Sequence, residues 1–176
     1  MSPVSKFVAI DFETANHSRS SACAVGLAWV ESGQVSRTES YLIQPPGNQF
    51  HPFNIRVHGI RPEHVANQPT FDQVWKVIHP RIAGHLLIAH NASFDRSVLE
   101  QSLAAYRLGV PPFTFKCTVE ISRRVWPELT DHKLPTVARH LGIPLKHHDA
   151  ASDAFACASI ALAAMSRKTI GDLGRV

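Results

Sequence analysis

An unbroken apolar run, Phe7-Val8-Ala9-Ile10, leads into Asp11-Phe12-Glu13-Thr14 near the start of the chain. A short apolar run bounded by charge predicts a strand from Val4 to Phe12. Ala22 to Val30 reads as a second, largely buried strand. The turn Glu31-Ser32-Gly33-Gln34 then leads to Val35–Ile43, whose alternation of apolar and polar positions fits a hairpin partner. Pro45-Pro46-Gly47-Asn48 opens what reads as a long loop to about His58. Thr70 with Gln73 three residues on has the form of a capping box, opening a helix to about Ala83. Leu86-Leu87-Ile88-Ala89 is a short buried strand. Asn91 then stands where a side chain caps the next helix, with Phe94, Val98, Leu99, Leu103 and Tyr106 on the inner side. Phe113 to Cys117 predicts a last strand, and shorter helices follow at Val119–Val125 and Pro135–Leu141. Asp149 caps a final Ala-rich helix to about Ser166.

Three early strands followed by helices alternating with strands argue an α/β domain built on a mixed sheet. The 176 residues suit one domain, expected over residues 1–166, with 167–176 as a C-terminal tail. Hydrophobic residues make up 44% of the chain and charged residues 18%, a composition that gives no sign of disorder. Cys23, Cys117 and Cys157 are odd in number and widely spaced, which excludes a disulfide framework and paired zinc-ligand spacing. No apolar leader opens the chain, and no apolar run is long enough to span a bilayer, so a cytoplasmic setting away from membranes is expected. Net charge is +4, and twelve of the eighteen cations are Arg, the better bidentate partner for phosphate. A polyanionic partner suits that balance without being required by it.

The candidate chemistry begins at Asp11 and Glu13. Side chains two apart on a strand leave the same face, so two carboxylates stand side by side there. They repel unless a cation lies between them, and Mg²⁺ is the usual answer because it takes oxygen ligands. Taken alone, the pair favours a solvated strand end. Asp95 sits in the first turn of a predicted helix, where the dipole favours an anion with or without a metal. His148 and Asp153, five residues apart, would diverge by about 140° on one helix. For both to reach one site, His148 must lie in the loop before the helix and Asp153 one turn inside it. Ala150, Ala154 and Ala158 are small enough to let that helix approach the first strand closely.

The combination is more specific than its parts. Asp-x-Glu-Thr closes the first strand, Asn-x-x-Phe-Asp opens a middle helix, and His-x-x-x-x-Asp opens the last. This order resembles the DEDDh family of 3′–5′ exonucleases, which includes the proofreading epsilon subunit of the bacterial replicative polymerase, ribonuclease T and oligoribonuclease. His58-Gly59-Ile60, Cys117-Thr118 and His132-Lys133-Leu134 add secondary matches. The sister branch has Tyr four residues before the last Asp; here that position is Asp149.

The resemblance implies a ribonuclease-H-like fold: a five-stranded mixed sheet, its second strand antiparallel, flanked by helices. It implies that Asp11, Glu13, Asp95 and Asp153 hold two Mg²⁺ or Mn²⁺ ions, and that His148 is the general base toward the attacking water. Nucleoside 5′-monophosphates would leave a single-stranded 3′ end one at a time, with DNA favoured over RNA and a polymerase or repair protein as possible partner. Phe12, Thr14, His58, Ile60 and Asn91 become the substrate-binding candidates. Phe12 and Ile60 read equally as core, and Asn91 equally as a helix cap. Arg123-Arg124 fits a solvated helix face better than a phosphate contact, and Trp29, Trp75 and Trp126 are assigned to packing. The alternatives are an RNA 3′-end trimming enzyme and a silent adaptor that binds nucleic acid or a polymerase.

Overall fold

A computed structural model describes residues 6–167. The expected strand start at Val4 and all of the expected tail except Arg167 lie outside the described residues. Strand β1 (Phe7–Thr14) is central to a five-stranded sheet with β2 (Ala22–Glu31), β3 (Gln34–Leu42), β4 (Leu86–Ala89) and β5 (Phe115–Cys117). The spatial order is β3-β2-β1-β4-β5, and β2 alone runs antiparallel to the rest. Around it lie α1 (Pro52–His58), α2 (Pro62–Val65), α3 (Phe71–Ile82), α4 (Ala92–Ala105), α5 (Thr118–Val125), α6 (Leu134–Leu141) and α7 (Ala150–Arg167). Among the described residues no helix is long and apolar enough to cross a membrane.

The period-two alternation of β1 divides the core. Val8, Ile10 and Phe12 face one way, joining Val25 and Leu27 of β2 against Trp75 and Ile78 of α3 and Val98 and Leu99 of α4. Phe7 and Ala9 face the other way, with Ala28 and Val30, against Ala154, Cys157, Ala158 and Ala161 of α7. Asp11 and Glu13 continue this second row, so the face they leave is the face that α7 covers. All three tryptophans are buried, as expected.

Gly26 sets how closely α7 approaches. It is paired with Asp11 across β1 and β2. A Cβ on Gly26 would lie 1.9 Å from the Ala150 carbonyl oxygen, so the backbone of the first turn of α7 rests on the bare glycine. The small residues of α7 permit the same approach from the other side.

Three expectations are corrected. The loop read from Pro45 to His58 contains a helix, α1. Its start is set by Pro52 and by the His51 ring, whose Nδ1 accepts the Phe53 N–H at 3.2 Å, and its end by Gly59 at φ 76°. A seven-residue helix is too short to show a period. Second, β1 does not stop at Phe12 but continues through Glu13 to Thr14, because β2 pairs along its whole length. Third, Asn91 does not cap α4 through its side chain; it takes a left-handed backbone, φ 66°, that turns the chain from β4 into the helix.

Candidate active site

The paired registers show where the site comes from. β4 accompanies β1 only from Phe7 to Ala9, so the far half of β1 has β2 on one side and an open edge on the other. Asp95, one turn into α4, fills that edge: the Phe12 N–H donates to its Oδ1 at 2.9 Å. Asp153 occupies the equivalent place in α7, one turn after its cap. Asp149 accepts the Ser152 N–H at Oδ1 and the Asp153 N–H at its carbonyl, so this expected cap is made. Both helices therefore aim a first-turn carboxylate at the end of β1.

The carboxylate oxygens of Asp11, Glu13 and Asp153 lie within 4.8 Å of one another. They border a cleft of about 290 Å³ that Asp95, His147 and His148 also line. Burial is the main reason their acidities are abnormal, and mutual repulsion adds to it. Asp11 is held well above the usual carboxylate range by burial, then by Asp95, Glu13 and Asp153. Glu13 is pushed up to about 8 by burial and by Asp153 and Asp95. Asp95 also reaches about 8 through burial, against the opposing pull of the Phe12 N–H and Arg19. Gathering buried acids in this way costs stability once they ionise, and a cation among them would offset that cost.

His148 stands in the loop before α7 with φ 67°, a left-handed backbone rarely taken by a non-glycine residue. That conformation points its own N–H back to Asp153 Oδ2 at 3.0 Å. Its imidazole is held below the ordinary value by burial and by His147, and only weakly raised by Asp153. Desolvation thus outweighs the nearby carboxylate, and the neutral ring keeps a nitrogen able to accept a proton.

His147 is a site residue that sequence reasoning missed. Its Nδ1 lies 2.9 Å from Asp153 Oδ2, and its ring stacks on His148 at 3.7 Å. Since a carboxylate only accepts, Nδ1 carries the proton. Of two adjacent histidines, only His148 matches the motif, so no sequence signal marked the other.

The far wall is α1. The Asn54 Nδ2–H donates to the Thr14 carbonyl at 2.9 Å, and His58 Nε2 lies 3.1 Å from the same oxygen. His58 Nδ1 accepts the Ile60 N–H, so Nε2 is the protonated nitrogen and donates to Thr14. His58 thus latches α1 to the end of β1. Of the nine other residues singled out from sequence, Asp11, Phe12, Glu13, Thr14, Asn91, Asp95, His148 and Asp153 border the cleft as His58 does, whereas Ile60 borders an adjoining hollow shared with His58 and His148. The Phe12 side chain belongs to the buried row on the opposite face and is 3% exposed. Phe53, at the rim of the cleft on α1, is 54% exposed.

Residues 8–161 match the family model described as exonuclease, of the RNase T type. The chain belongs to that exonuclease family. Its branch is the DEDDh type of 3′–5′ exonuclease, a class of metal-dependent nucleases. A DNA polymerase III PolC-type from Clostridium perfringens is 32% identical over 161 residues, covering 88% of this chain and 11% of the relative. The PolC-type protein of Oceanobacillus iheyensis is 34% identical over 152 residues, 84% of this chain and 10% of that protein. This chain therefore spans about a tenth of those relatives. Exonuclease X in complex with 5′ overhanging duplex DNA has the same fold: TM-score 0.76, 22% identity, 95% of this chain and 98% of that one.

The family implies divalent metal, and the residues fit it. Asp11, Glu13 and Asp153 converge with oxygen donors only, the set that hard divalent ions prefer. Asp153 Oδ1 is buried without a hydrogen-bond partner, which leaves one lone-pair face directed at no protein donor.

Proposed function

We propose that residues 1–166 form one exonuclease domain that removes nucleoside 5′-monophosphates from single-stranded 3′ ends, DNA in preference to RNA. The observation that carries this reading is the convergence of Asp11, Glu13 and Asp153 oxygens within 4.8 Å, under burial that opposes their ionisation. The preference for DNA is supported by the PolC-type relatives, which are named as DNA polymerases. They also support a polymerase, rather than a repair protein, as the partner.

Asp11, Glu13, Asp95 and Asp153 would hold two Mg²⁺ ions, with Mn²⁺ able to substitute; bound there, these would supply Lewis-acid polarisation of the scissile phosphate and a more acidic water at neutral pH. The other tasks fall to the chain itself. His148 accepts the proton of the attacking water, from a backbone conformation that keeps it at the mouth of the cleft. His147 holds Asp153 in place through Oδ2. Thr14, fixed by Asn54 and His58, forms the rim against which the terminal nucleotide lies, with Asn91 and Ile60 nearby. Phe12 supports that rim from beneath.

The test is digestion of 5′-labelled single-stranded DNA and RNA of one sequence, with Mg²⁺ or Mn²⁺. A ladder shortening from the 3′ end, faster on DNA, is expected. Folded protein that leaves both strands intact under every metal condition overturns the proposal.

A further inference from the structure

The first turn of α4 is a partition between two concavities. Phe94 and Asp95 face the catalytic cleft, whereas Ser93 and Arg96 line a second groove of about 450 Å³ on the other side. Asn91, at the head of the partition, borders both, so the groove adjoins the cleft. Its far wall is built by β5 and α5. Arg96, Lys116, Arg123 and Arg124 line it from three separate elements, against one carboxylate, Glu120.

We infer that this groove holds the phosphodiester backbone of the substrate strand, upstream of the nucleotide being removed. The inference rests on the exonuclease reading and extends it to the path of the strand. A cleft of about 290 Å³ holds roughly the terminal nucleotide, and its walls are acidic. The rest of the strand, one negative charge per nucleotide, has to leave toward positive potential. Local roles account for the cations only singly. Arg123 and Arg124 lie in the last turn of α5, where they complement its dipole. Arg96 pairs with Glu100 at 2.8 Å, but both side chains are largely in solvent, and such pairs are weak. Neither role explains why α4 and α5 bring Arg96 and Arg123 to one hollow beside the active site. Arginine suits the assignment, because its fork grips phosphate while tolerating any base.

The experiment uses two substrates and the double variant Arg96→Gln/Arg123→Gln. The p-nitrophenyl ester of thymidine 5′-monophosphate fills only the cleft, whereas a single-stranded DNA 12-mer also reaches the groove. The variant should raise KM for the 12-mer by about tenfold or more with kcat within about twofold, and hydrolyse the ester like wild type. Anisotropy titrations of the labelled 12-mer in Ca²⁺ should show a salt slope smaller by about 1.4, since each phosphate that is no longer neutralised removes about 0.7. Arg96→Lys/Arg123→Lys should restore the slope. Unchanged 12-mer kinetics and slope overturn the inference, as does an equal loss on both substrates. If wild type cleaves neither substrate, the exonuclease reading fails, and the titration by itself decides the groove.

Discussion

Gly26→Ala tests the idea that one missing side chain assembles the site. The added Cβ would meet the Ala150 carbonyl oxygen at 1.9 Å, its carbon at 2.2 Å and the Ala151 nitrogen at 2.7 Å. All three are backbone atoms of the first turn of α7 and cannot rotate away. Restoring the closest contact from 1.9 Å to an ordinary 3.4 Å requires about 1.5 Å of retreat by that turn. Asp153 lies in the same turn and would retreat with it from Asp11 and Glu13. Overpacking of this kind costs about 1–3 kcal/mol, or a fall in Tm of roughly 2–12 °C for a domain of this size. The functional loss should be larger in proportion, since about 1 Å of misplacement at a reacting centre costs on the order of 100-fold. The assay pairs Mn²⁺ titration calorimetry with turnover on a labelled single-stranded oligonucleotide. Metal affinity and kcat should both fall while the protein stays folded by circular dichroism. A folded Gly26→Ala protein with wild-type metal affinity and turnover refutes the role given to this glycine.

Removing a site charge should separate stability from function. Asp11→Asn is expected to abolish metal binding and cutting, yet raise Tm in EDTA at pH 8, because one of several repelling buried acids is gone; a lower Tm there contradicts the electrostatic account. The pH dependence has a definite sign. Glu13 ionises near 4.5 when unfolded and at about 8 in the metal-free fold, so across that window the folded state keeps a proton that the unfolded state has lost. Metal-free stability must therefore fall as pH rises from 4.5 to 8, and Asp95 acts in the same sense. Thermal melts in EDTA should show this fall, and saturating Mg²⁺ should reverse it; a metal-free Tm that climbs over that range excludes the raised acidities. His148→Gly should cut turnover by about 100-fold or more, through loss of the base, while leaving stability equal or up to about 1 kcal/mol greater, since glycine accepts φ 67° without strain. Full activity in that variant removes His148 from the mechanism.

The placement of the candidate acids and the branch of the family were legible because they depend on local pattern. Period two places Asp11 and Glu13 on one face whatever surrounds them. A helix start favours an acid at Asp95 and Asp153, and His148 had to precede α7 because a helix would have turned it away. Those inferences need only covalent geometry and the regular repeats of strand and helix. Five strands in a mixed sheet followed from the resemblance, and the observed five-stranded sheet with β2 alone antiparallel agrees with it.

What the tertiary structure decided are the contacts between residues distant in the chain. Helix α1 gives no periodic signal in seven residues, so Asn54 and the latch made by His58 on Thr14 emerge only when that segment is seen folded over the cleft. His147 is one of eleven histidines until Asp153 lies 2.9 Å away. Gly26 reads as one small residue in an Ala-rich strand, because its importance lies in the backbone of a helix more than a hundred residues later. Acidities set by burial likewise belong to the packed state: a free Glu13 is an ordinary acid, and burial with Asp153 and Asp95 beside it raises it to about 8. Sequence determined which groups are present and which way they point; packing determined how close they come, and both repulsion and desolvation depend on that distance.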